Sequence, residues 1–66
     1  MKRLIYIITV VDDGRIMDVL VDENRDNILS RVALPEESKA ILDDEGSYES
    51  ELGLEVAIFE KKIELT

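Results

Sequence analysis

The stretch Val10-Val11-Asp12-Asp13-Gly14-Arg15-Ile16-Met17 decides how this chain begins to fold. An Asp-Gly pair between two β-rich runs predicts a tight hairpin, because a type I′ turn needs positive φ at both central residues. Placing Asp13-Gly14 at the turn pairs Val10 with Met17, Ile8 with Val19, Tyr6 with Val21 and Leu4 with Glu23. The other face of the ribbon then pairs Val11 with Ile16, Thr9 with Asp18, Ile7 with Leu20 and Ile5 with Asp22. The first face is almost wholly apolar and is expected to face the core. The second is mixed, and its Ile5, Ile7, Val11, Ile16 and Leu20 need a cover.

Working outward, residues 23–27 (Glu-Asn-Arg-Asp-Asn) read as a polar turn cluster. Residues 28–34 suggest a third strand with Ile28, Val32 and Leu34 on one face. Pro35 suits the first turn of a helix, where its missing N–H costs nothing. Glu36 and Glu37 follow at the positive end of that helix's dipole. Ala40, Ile41 and Leu42 give it an apolar side over about two turns, so packing rather than propensity must hold it. Residues 43–51 (Asp-Asp-Glu-Gly-Ser-Tyr-Glu-Ser-Glu) read as an acidic connection. A last strand follows over 54–60, where Leu54, Val56 and Ile58 share a face. The move of the apolar phase to Ile63 and Leu65 hints at a bulge after Glu60. The expectation is a single α+β domain over residues 1–66, a small antiparallel β-sheet with one short helix in the order β-β-β-α-β.

Composition narrows the function. At 66 residues the chain buries only about 60% of its unfolded surface, so it needs an efficient core, a cross-link or oligomerisation. It has no cysteine and no histidine, which removes disulfides and the usual zinc and copper sites. Met1-Lys2-Arg3 followed by Leu4–Ile8 superficially resembles a signal peptide. The apolar run is interrupted by Thr9 and reaches Asp12-Asp13 with no small-residue cleavage site, so a strand in a cytoplasmic protein is the expectation, with no membrane span.

The charge is polarised. Residues 36–60 hold nine acids against the single Lys39, a net of −8, whereas residues 1–35 are close to neutral at −1. A one-signed field over a small surface repels nucleic acid and attracts basic partners. An acidic run is most often plain solvated surface. Here, however, the acids span a helix start, a loop and a strand with one base among them, and ordinary surfaces intersperse both signs.

Catalysis is not expected. Paired-carboxylate chemistry needs one carboxyl in an apolar pocket, and so short a chain cannot wall a cleft and keep a core. Ser-His and Cys-His pairs are impossible, and Gly14, Gly46 and Gly53 are isolated, which leaves no phosphate-cradling loop. Asp43-Asp44-Glu45-Gly46 looks like the middle of a calcium loop. Aligned on Gly46, though, the end ligand positions fall on Ile41 and Leu52, so no metal or cofactor is expected.

Residues Asp43, Asp44, Glu45, Glu49, Glu51 and Glu55 are the candidate partner-binding carboxylates, with Tyr48 as a candidate anchor among them. If 49–51 is extended, Glu49 and Glu51 project on one side about 6.6–6.8 Å apart, and Asp18 and Asp22 share a facing on the hairpin's mixed side. Ile5, Ile7 and Leu20, bracketed by Asp18 and Asp22, form a candidate homodimer patch.

In its size, its acidity and the carboxylate-rich segment Asp43-Asp44-Glu45…Glu49…Glu51…Glu55, the chain resembles the small phage-encoded DNA-mimic host-takeover proteins, such as the phage inhibitor of the bacterial histone-like protein HU. The resemblance implies a dimer, acting in the host bacterial cytoplasm or nucleoid, that occupies the DNA-binding surface of a basic protein. The near-neutral residues 1–35 depart from a mimic acidic all over. Two other readings stand beside it. One is a structural or adaptor module working through an apolar oligomerisation face; the other is a small regulator of RNA polymerase or a nuclease.

Overall fold

The computed structural model describes residues 2–64. The elements run β1 (Lys2–Asp12), β2 (Arg15–Asp22), α1 (Arg25–Arg31), α2 (Glu36–Glu45), β3 (Ser47–Glu49) and β4 (Leu54–Glu64). The four strands form one antiparallel sheet in the order β2-β1-β4-β3. The α+β class and the antiparallel sheet hold. The expected order β-β-β-α-β with one helix does not, because the chain runs β-β-α-α-β-β with two.

The overturned element is residues 28–34. Ile28 and Val32 share a face at both the strand period and the helix period, so their spacing alone does not discriminate. Asn24 decides it. Its side chain accepts a 2.9 Å hydrogen bond from the Asn27 N–H, capping α1, and Asp26 sits in the first turn where the dipole favours an acid. Ile28 and Val32 are then buried on the side that meets the sheet.

The hairpin turn forms as expected, with φ of 50° at Asp13 and 78° at Gly14. Its register does not. Val11 pairs with Ile16 as expected, but Val10 pairs with Asp18, Ile8 with Leu20 and Ile7 with Val21. A β-bulge makes Met17 an extra residue, and beyond it every β2 side chain changes face. Leu20 therefore lies beside Ile8 in the core, not with Ile5 and Ile7, so these three do not form one patch. Val19 and Val21 go to the opposite face, and Asp18 and Asp22 go to the helix side.

Asp22 gives that register its chemical reason. At the β2–α1 corner its carboxylate accepts the Asn24 N–H (2.9 Å), the Asn27 side-chain amide (2.6 Å) and the Arg31 guanidinium (3.3 Å). The Asn24 backbone bond foremost, and then Asn27 and Arg31, hold its pKa below the usual carboxylate value against the opposing effect of desolvation. In the other register this carboxylate would point away from α1.

The ladder of β1 with β4 is continuous from Lys2–Glu64 to Asp12–Leu54. No bulge follows Glu60: Ile63 pairs with Arg3 and shares a face with Phe59. Leu65 lies outside the described residues. α2 has ten residues, longer than the sequence suggested, and ends at Gly46 in the left-handed region (φ 80°). Gly46 donates to the Leu42 carbonyl at 2.8 Å, and its own carbonyl accepts from the Ile58 N–H at 3.0 Å, which ties the helix end to β4. Of the expected apolar side of α2, only Leu42 is buried; Ala40 and Ile41 are exposed.

Both helices pack on one face of the sheet. Ile8, Ile28, Val32, Leu42, Val56 and Ile58 make the core there. The other face carries Ile5, Ile7, Val19, Val21 and Phe59, and among the described residues no element lies over it. Among the described residues, no helix is long and apolar enough to cross a membrane.

Candidate functional site

The acidic stretch is not a loop. Asp43, Asp44 and Glu45 form the last turn of α2, Glu49 ends β3, Glu51 sits in the β3–β4 turn and Glu55 begins β4. The expected row of Glu49 and Glu51 does not form, because the chain turns after Glu49. Ser50 shapes that turn: its hydroxyl accepts the Leu52 and Leu54 N–H groups at 3.3 and 3.1 Å. Glu49 instead lies directly opposite Glu55 across the β3–β4 ladder, on the open face of the sheet. Like charges in that position repel.

Tyr48 does not stand out as an anchor. It pairs with Val56, is half-buried and packs against the core beneath α2. Asp43 is likewise committed internally. Arg25 reaches it at 3.1 Å and also donates to its backbone carbonyl at 3.0 Å, while the guanidinium carbon lies 6.0 Å from the Tyr6 ring centroid. Glu36 and Glu37 sit at the other end of α2, about 9–14 Å away by helix rise. Glu60, opposite Tyr6, is remote as well.

Two acids that sequence reasoning left out join the remaining set. The Asp13 N–H donates to the Gly53 carbonyl at 3.2 Å, which brings the β1–β2 turn beside the β3–β4 turn. Asp12 and Asp13 therefore stand at the same end of the sheet as Glu49, Glu51 and Glu55, where Arg15, opposite Asp12, is the base. Nothing local could have revealed this. Asp-Gly read as turn chemistry, and the meeting of two turns is a product of the strand order.

The opposite end has the other balance. Lys2, Arg3, Lys61 and Lys62 gather there with Glu23, Glu60 and Glu64. The sheet is thus acidic at its turn end and slightly basic at its far end.

Among the described residues, the acidic end offers exposed carboxylates and no enclosed cleft. The calcium-loop look of 43–46 is resolved as a helix C-terminus. Among the described residues, no group of three or more Asp or Glu is arranged to hold a metal ion. On the open face, a shallow depression of about 260 Å³ lies over Thr9, Val11, Ser47 and Ala57, rimmed by Glu49 and Glu55. Comparison with protein-family models, with curated proteins and with solved structures finds no match to this chain.

Proposed function

We propose that the protein is a small non-catalytic binding protein, acting in a bacterial cytoplasm, that covers the basic surface of a DNA-binding protein with its exposed, unpaired carboxylates. The observation that carries this reading is where the acids sit. Asp44 and Glu45 close α2 where the helix dipole disfavours them, with no base in that last turn. Asp12, Asp13 and Glu51 gather separately, where the β1–β2 and β3–β4 turns adjoin. Of the nine acids in residues 36–60, Asp43 is the one that pairs with a base among the described residues. Charges placed against local preference and left without partners are the pattern expected of a recognition surface. The resemblance to phage DNA-mimic proteins points the same way.

The test is competition. A labelled duplex bound to a purified histone-like protein is titrated with this chain across a salt series. Displacement is expected, and its apparent affinity should fall by about tenfold or more between roughly 50 and 200 mM salt. An affinity indifferent to salt contradicts the reading. So does a variant carrying Asp44→Lys, Glu45→Lys and Glu51→Lys that displaces DNA as well as the parent does.

A second reading, the adaptor module, is favoured by one specific observation, the uncovered apolar face of the sheet.

A further inference from the structure

The uncovered face is unusually apolar for so small a molecule. Phe59 is 53% exposed, Val19 49% and Val21 51%, with Ile5 and Ile7 half-buried among them. They surround the middle of the β1–β4 ladder on the side away from both helices. From the Ile5–Lys61 pair to the Val11–Glu55 pair the face is about 20 Å long and widens from two strands to four, roughly 300 Å² in projection. With side-chain relief, two such faces are of the size of a weak, reversible interface.

The pattern on this face is complementary to a second copy of itself. Along β4, counted from Ile58, Phe59 lies one residue to one side and Ala57 one residue to the other. Lys61 lies three residues to one side and Glu55 three to the other. A two-fold axis running across the strands at Ile58 exchanges these positions between two copies. It sets the large Phe59 over the small Ala57, where the depression floored by Thr9, Ser47 and Ala57 lies open. It also sets Lys61, which has no carboxylate partner among the described residues, over Glu55 and the Glu49 opposite it. An axis parallel to the strands would instead bring the like-charged ends together.

We infer that the open sheet face is the seat of a second copy of this chain, packed sheet to sheet with strands antiparallel, Phe59 filling the depression and Lys61 bridging Glu49 and Glu55 of its mate. The assembly has the helices outside and two sheets inside, the aligned packing natural to twisted sheets. It explains why two carboxylates face each other across β3 and β4, since a cation is supplied from the second copy. It leaves Asp44, Glu45 and Glu51 outward, so it stands or falls separately from the partner reading above.

Sedimentation equilibrium of the full chain, from roughly micromolar to millimolar concentration, reads the result directly. A monomer–dimer equilibrium is expected. Phe59→Asp should weaken dimerisation at least tenfold, with circular dichroism at the same concentrations showing the fold retained. Lys61→Glu should also weaken it. Mixing Lys61→Glu protein with a Glu49→Lys, Glu55→Lys variant should restore a heterodimer. A parent chain that stays monomeric throughout overturns the inference, even if Phe59→Asp impairs partner binding, because the face would then serve another protein. Dimerisation unchanged by Phe59→Asp, or a charge-swapped pair that fails to associate, overturns it as well.

Discussion

In residues 2–35, charges act as fasteners. Arg3 holds Glu23 at 2.8 Å, Arg31 reaches Asp22 at 3.3 Å, and Arg25 crosses to Asp43 at 3.1 Å. Each joins one element or turn to another. In residues 36–60 the acids are more numerous, and all but Asp43 stand without a base among the described residues. Some of these positions even oppose folding: Asp44 and Glu45 crowd a helix C-terminus, and Glu49 faces Glu55. The difference teaches that carboxylates of one chain divide into those the fold uses and those it tolerates. The tolerated set is where recognition should be sought.

The largest effect comes from the one element both regions depend on. α2 carries the exposed acids on a helix anchored by Leu42, which is fully buried. Leu42→Ala should cost about 2–5 kcal/mol in urea denaturation, enough to unfold so small a domain and blur the contrast altogether. Next comes Asp22→Asn, which breaks the fastener class. It weakens the corner between β2 and α1 and should lower the melting temperature clearly at neutral pH. The sign with pH follows from the depressed folded-state pKa. The unfolded chain binds the proton more readily, so the stability Asp22 contributes is present above the unfolded carboxylate pKa near 4. It is lost as pH falls from there through the lower folded value. The parent should therefore lose stability on acidification more steeply than Asp22→Asn, and melts at pH 7 and pH 3 check this.

Smaller and opposite in sign is the tolerated class. Asp44→Asn and Glu45→Gln should each raise stability by about 0.3–1 kcal/mol at low ionic strength, since each removes a charge that the helix dipole disfavours. Smallest is the effect of salt alone. Raising it should stabilise the free protein slightly by screening repulsion among the unpaired acids, while weakening its hold on a basic partner. The two trends, measured on one sample set, should run in opposite directions.

How much of this was legible beforehand follows the range of each interaction. The Asp13-Gly14 turn and the start of α2 after Pro35 depend on neighbouring residues and could be read from them. So could the concentration of acids after residue 35. The bulge at Met17 could not, because its driving contacts, Asp22 with Asn24, Asn27 and Arg31, exist only once α1 is docked. Reading 28–34 as a strand failed because Ile28 and Val32 satisfy both periods, and the Asn24 cap was counted as a turn residue. Leu20 was misplaced for a related reason: its face is set by the β1–β2 register, which one extra residue reverses. The union of Asp12 and Asp13 with Glu51 needed the strand order itself.

The central claim is that the unpaired carboxylates of residues 36–60 are kept at a cost to the fold because they bind a basic partner. The most direct measurement is a thermal melt of the parent and of the Asp44→Asn, Glu45→Gln, Glu51→Gln variant, each with and without a purified histone-like DNA-binding protein. The variant should melt higher alone, and the partner should raise the parent's melting temperature more than the variant's. A variant that melts lower alone, or an equal shift for both chains, would contradict it.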